Sequence, residues 1–104
     1  MVLYVSKYDL RPEKAAEYKE WAKTVINKIL EVPGLIEFRG YRPITGDRQV
    51  AVTYEFPDMA AWVKWNSDPE IQKITNEQRF YAENIINEIW DSSPIVPEPL
   101  RPGK

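Results

Sequence analysis

The sequence predicts an α+β domain built on one four-stranded antiparallel sheet, with helices packed on a single sheet face. Three observations lead there. Segments rich in β-branched and aromatic residues with period-two character ("VLYVSKY", "LIEFRGYRP", "RQVAVTYEF") are interleaved with stretches whose apolar residues recur every three or four positions. The elements run strand, helix, strand, strand, helix, strand. The chain of 104 residues fits one domain.

Residues 2–8 form the first predicted strand. The following "RPEKAAEYKEWAKTVINKILEVPG" switches to helical period. Pro12 suits a first helical turn, and Glu13 favours the positive end of the helix dipole. Tyr18, Trp21, Ala22, Val25, Ile26 and Ile29 make one apolar face, with Glu13, Glu17, Glu20, Thr24 and Asn27 on the other side. Pro33-Gly34 ends the helix. Residues 35–43 and 48–56 read as two strands joined through "ITGD", whose Gly-Asp pair marks a hairpin. Pro57-Asp58 stops the second of them, and Asp58 can cap a helix carrying Met59, Trp62 and Trp65. Asp68 caps a further helical segment with Pro69 at its first position and Ile71, Ile74 and Phe80 or Tyr81 on its apolar side. "ENIINEIWD", 83–91, partly fits both periods. Its isoleucines, its tryptophan and the element order favour a strand. Residues 1–92 are thus the expected domain. Residues 93–104, with Pro94, Pro97, Pro99 and Pro102, are an expected extended tail lying along its own or a partner's surface.

This βαββαβ order is the ferredoxin-like split pattern, in which the helices leave one sheet face open. Period two then sorts the strand residues. Leu3, Val5, Ile36, Phe38, Val50, Val52, Tyr54 and Phe56 are expected under the helices. Val2, Tyr4, Tyr8, Leu35, Tyr41, Ala51, Ile86 and Trp90 are expected on the open face, among Ser6, Glu37, Arg39, Thr53, Glu55 and Glu88. So aromatic a face calls for a cover. A second copy is the simplest one, giving a homodimer through the open sheet face in which Arg39 meets carboxylates such as Glu37, Glu55 or Glu88.

Composition narrows the chemistry. A net charge of −2 argues against a nucleic-acid partner. No apolar run approaches the roughly 18 residues of a membrane span. The amino-terminal segment reads as a strand rather than a signal peptide, so a cytoplasmic protein is expected. With neither cysteine nor histidine, thiolate nucleophiles, Cys- or His-ligated metals and Ser-His-Asp triads are unavailable. No carboxylate grouping resembles a metal site and no glycine-rich phosphate loop is present. No metal or cofactor is therefore expected.

Together with the element order, "EVPGLIEFRGYRP" after the first helix and "YEFPDMAAWVKWNSDPEIQK" resemble the dimeric α/β-barrel superfamily over roughly residues 1–92. Within it the chain is most similar to the antibiotic biosynthesis monooxygenase (ABM) type, with NIPSNAP-like proteins as near relatives. The resemblance implies either cofactor-free oxygenation of polycyclic aromatic substrates or haem degradation. Haem degraders of this family use an Asn near the end of the first strand, a Trp on the second helix and a following His. The Trp position falls on Trp65, the Asn slot on or beside Lys7, and the His slot near Thr75 or Asn76, so two of the three positions differ.

The resemblance also implies a pocket between helices and sheet, and candidates follow. Trp62 and Trp65 can wall it, or simply pack in the core at helical spacing. Lys7, placed with Leu3 and Val5, is a base or anion anchor at the pocket mouth, or an amine emerging at a strand end. Tyr54 can hydrogen-bond a substrate phenol, or reach backbone or solvent from the core. Asn76 sits near the family's polar slot. Arg79 can hold an acidic substrate group, or pair with Glu83 one turn on. The expected catalytic set is Lys7, Tyr54 and Asn76, with Trp62, Trp65 and Arg79 binding substrate. The function expected is an ABM-like cofactor-independent monooxygenase on a small aromatic or polyketide-like compound. The rival is a non-catalytic dimeric binding or structural module of the same fold.

Overall fold

The computed structural model describes residues 1–103. Strands β1 (Val2–Leu10), β2 (Glu37–Tyr41), β3 (Val50–Phe56) and β4 (Ala82–Asp91) form one antiparallel sheet in the order β2-β3-β1-β4. Helices α1 (Ala15–Glu31), α2 (Met59–Asn66) and α3 (Pro69–Tyr81) cover one face, giving the ferredoxin-like fold. Pro12 opens a short 3₁₀ turn, Pro12–Lys14, ahead of α1. The fold is α+β with the predicted element order, and 83–91 is a strand.

Local chemistry sets the element ends. The Asp58 carboxylate accepts the Ala61 amide at 2.8 Å and starts α2. The Asp68 carboxylate accepts the Glu70 amide at 2.8 Å, with Pro69 at the first helical position, so one acid both breaks α2 from α3 and caps α3. Gly34 follows α1 with φ +107, and a Cβ there would meet the Ala61 carbonyl at 3.4 Å.

The side chains of β1 alternate opposite to the expected sense. Its register against β3 sets Val2 beside Phe56, Tyr4 beside Tyr54, Ser6 beside Val52 and Tyr8 beside Val50. Directly paired residues share a sheet face. Val2, Tyr4, Ser6 and Tyr8 therefore lie under the helices, whereas Leu3, Val5 and Lys7 lie on the open face beside Trp90, Glu88 and Ile86 of β4. The physical reason for the difference is that residues 2–5 are all apolar, so alternation within β1 carries no sign. Only the pairing with β3 supplies one. Ile36 and Leu35 also depart from expectation: they precede β2, where strand alternation does not hold. Ile36 is 56% exposed while Leu35 packs against the core.

The principal core joins Val2, Val25, Ile29, Phe56, Trp65, Ile71 and Ile74. A second cluster gathers Tyr8, Val52 and Ala82 nearer the far end of β1. Between Lys7 and Asp9 the β1–β4 register shifts, and Asn84 takes φ 54. The Asp9 carboxylate accepts from the Asn84 side chain at 3.0 Å and from the Gln49 amide at 3.0 Å, while Arg48 Nε donates to the Asn84 carbonyl at 2.7 Å. This network ties the β2–β3 connection to the β4 bulge. Residues 92–103 carry neither strand nor helix and are exposed throughout.

The cap at the α2–α3 break is open to test. Asp68→Ala should lower stability by about 1 kcal/mol, read from urea unfolding midpoints at constant slope. Asp47→Ala, an exposed loop change beside Arg48, should stay within about 0.5 kcal/mol of wild type.

Candidate functional site

The predicted apolar face of α1 is the roof of a cavity. Tyr18, Trp21, Ala22, Val25, Ile26 and Ile29 overhang a space of about 290 Å³. Its floor is the helix side of the sheet, with Tyr8 from β1, Phe38 from β2, and Val50, Val52 and Tyr54 from β3. Ile74 and Gln78 close it from α3. The volume is near the lower end of the range for ligand pockets, about 300–1,000 Å³. It suits a small, flat, mostly apolar molecule.

No Asp, Glu, Lys or Arg side chain lines this space. Its polar equipment is a group of phenols. The Tyr8 and Tyr18 hydroxyls are hydrogen-bonded at 2.7 Å, and the Gln78 side chain is a further polar group of the wall. Trp21 is fixed in the roof, its Nε1 donating to the Glu77 carboxylate at 3.0 Å and its ring stacked on Tyr81 with centroids 5.0 Å apart. Burial pushes the Tyr8 phenol well above the ordinary tyrosine value, with the neighbouring Tyr18 hydroxyl adding to the shift. Burial likewise pushes Tyr54 up, reinforced by Tyr4 and Tyr18. Both phenols stay protonated near neutral pH, so they act as hydrogen-bond donors rather than bases. Among the described residues no group of three or more Asp or Glu side chains is placed to hold a metal ion.

A sequence profile described as antibiotic biosynthesis monooxygenase matches residues 1–77. The chain belongs to the ABM family. No curated protein sequence matches it. Solved structures share its fold at low identity. The cofactor-independent oxygenase SnoaB from Streptomyces nogalater aligns with a TM-score of 0.74 at 14% identity, covering 93% of this chain and 97% of that one. A dabb family protein with a ferredoxin-like fold from Mesorhizobium loti gives 0.76 at 17% identity, over 86% and 93%. HapK from Hahella chejuensis gives 0.75 at 14% identity, over 99% and 100%.

Within this ABM fold the six residues singled out from sequence are dispersed. Tyr54 lines the cavity. Lys7 does not. The β1 register turns it to the open sheet face, where its amine lies 3.7 Å from the Glu88 carboxylate, so its expected place at the pocket mouth is corrected. Trp65 is 3% exposed and packs behind Tyr54, with ring centroids 5.1 Å apart. Trp62 sits against Tyr4 at 5.7 Å. Neither tryptophan is part of the cavity lining. Asn76 and Arg79 lie on the exposed side of α3. The expected Arg79–Glu83 pair is replaced by Arg11, whose guanidinium reaches Glu83 at 3.2 Å. The expected Asn and His slots of the haem degraders thus hold an open-face lysine and, on α3, half-buried Thr75 or exposed Asn76.

Tyr8, Tyr18 and Gln78 were not among the expected site residues. The apolar run at residues 2–5 gives Tyr8 no inward signal, and the spacing of Tyr18 marks it only as part of an apolar helix face. Gln78 carried a usable signal: it lies one turn beyond Ile74, a polar residue on the stripe that α3 turns inward.

Alkaline titration should reveal the buried phenols. Of the six tyrosines, Tyr4, Tyr8 and Tyr54 have raised values. Above the ordinary tyrosine value of about 10 the unfolded chain releases protons that the native state retains. Stability is therefore flat below that pH and falls as pH rises through it. Phenolate absorbance from Tyr4, Tyr8 and Tyr54 should appear only as the chain unfolds. Tyr8→Phe should flatten the alkaline loss of stability.

Proposed function

We propose that this ABM-family protein is a cofactor-independent monooxygenase for a small aromatic or polyketide-like compound bound in the α1–sheet cavity. The observation that carries the reading is the wall itself: an apolar, aromatic enclosure without a charged side chain, in which phenol hydroxyls are the principal polar groups. An oxyanion, such as a phenolate or enolate, is stabilised there by hydroxyl donors in a water-poor setting. Tyr54 is the proposed donor. With no base in the wall, the substrate must be acidic enough to lose its proton to solvent or on entry. Its carbanionic carbon then bonds to dioxygen, giving a peroxide that takes up a proton and loses water as the carbonyl forms. Overall, a CH₂ and O₂ become C=O and H₂O. Four electrons leave the carbon and four reduce dioxygen, so no further reductant is required.

The same reading includes a homodimer through the open sheet face. Leu3, Ile86, Tyr41 and Trp90 lie there, the last two each 49% exposed, together with Lys7, Glu88, Glu37 and Arg39. Apolar and oppositely charged groups on one surface suit a self-complementary contact. Light scattering at high micromolar concentration should give twice the chain mass, and Trp90→Asp should shift it toward one. A wild-type monomer at that concentration would contradict this.

A second reading, a non-catalytic binding module, is favoured by the lack of any proton acceptor of ordinary basicity in the wall. Oxygen uptake with an anthrone separates the two. The oxygenase consumes O₂ and anthrone in equal amounts. Tyr54→Phe should lower turnover by about 10- to 100-fold, the worth of one hydrogen bond to a charged group. Arg79→Ala should leave it unchanged. Binding without oxygen consumption would support the module.

A further inference from the structure

The two hydrogen-bonded hydroxyls of the cavity wall have an order, and the order selects a ligand. Tyr8 is 4% exposed, and its hydroxyl lies 2.7 Å from that of Tyr18. A hydroxyl can give one proton and accept others. Among the described residues the Tyr8 hydroxyl has a single hydrogen-bond partner, the Tyr18 hydroxyl, and a buried O–H needs an acceptor. The Tyr8 proton then goes to Tyr18, and the Tyr18 proton is left for whatever occupies the space. Tyr18 is suited to that role, because it is only half-buried, comes from the roof helix and is held by ring contacts to Tyr8, Trp21 and Tyr81 at 6.2, 5.9 and 6.4 Å. Donation from Tyr8 polarises the Tyr18 hydroxyl and strengthens it as a donor.

We propose that Tyr18 is a specificity-determining residue whose hydroxyl, backed by Tyr8, selects flat apolar ligands bearing a carbonyl or enolate oxygen at the end that enters beneath α1. This rests on the cavity being the ligand site and adds the atom that reads the ligand's oxygen. Tyr54, on the sheet floor, meets the reacting region. Tyr18 fixes which end goes in first.

The test uses acetylnaphthalene and isopropenylnaphthalene, a ketone and its hydrocarbon isostere, with dissociation constants from fluorescence quenching and the bound ketone's carbonyl stretch from infrared spectra. In the wild type the bound stretch should lie below its value in an apolar solvent. Tyr18→Phe should weaken the ketone by about 2- to 10-fold, the range of one neutral hydrogen bond, and return the stretch to its apolar value. The hydrocarbon should change by less than about twofold. Tyr8→Phe should give a smaller loss and an intermediate stretch. If Tyr18→Phe leaves both the ketone affinity and its stretch unchanged while the ligands still bind, the assignment is overturned. If the wild type binds neither compound, the cavity is not a site for such ligands, and the proposed function falls along with the assignment.

Discussion

The register of β1 against β3 is the constraint on which the rest depends. It places Tyr8 beside Val50 and Val2 beside Phe56, and so decides which side of the central strand faces the helices. A shift by one residue would exchange the two faces of β1 completely. In the observed register an aromatic and hydroxyl-bearing row lies inward, and a row containing lysine lies outward. Phe56, fully buried, and Trp65, packed on it at 5.1 Å, anchor one end of that arrangement. The Asp9–Asn84–Arg48 network holds the other.

This choice has a chemical consequence. Had Lys7 faced inward, the site would contain an amine whose desolvation would either depress its pKa or demand a buried partner. Instead it meets Glu88 on the open face, with both side chains partly in water, where such a pair contributes little. The cavity keeps only neutral donors, and low polarity makes each of them count for more. The roof has the same character. Trp21 directs its only polar atom away, to Glu77, and presents ring surface to the space.

How much of this could be seen in the sequence differs by element. The helices were legible because their signals are local. The apolar face of α1, from Tyr18 to Ile29, is read directly from three- and four-residue spacing and forms the cavity roof without exception. Asp58 and Asp68 announce helix starts through bonds only two or three residues long. The face of β1 was not legible, because Val2, Leu3, Tyr4 and Val5 suit either side and the deciding partners lie some fifty residues away. The site inherited that ambiguity. Tyr54 was found because β3 alternates clearly. The sides on which Lys7 and Tyr8 lie are undetermined by the sequence for one and the same reason. Trp62 and Trp65 attracted attention by residue type, yet their spacing already allowed the core packing that the structure shows.

An inward-facing Tyr8 and the cavity it helps to build are the centre of the site. Nuclear Overhauser contacts between bound acetylnaphthalene and the protein, with the tyrosine rings and Lys7 side chain assigned, test it most directly. The account predicts contacts to the rings of Tyr18, Tyr54 and Phe38 and to the methyls of Val52, with none to Lys7 or Trp90. A ligand whose contacts are to Lys7 and Trp90, on the open face, would contradict it.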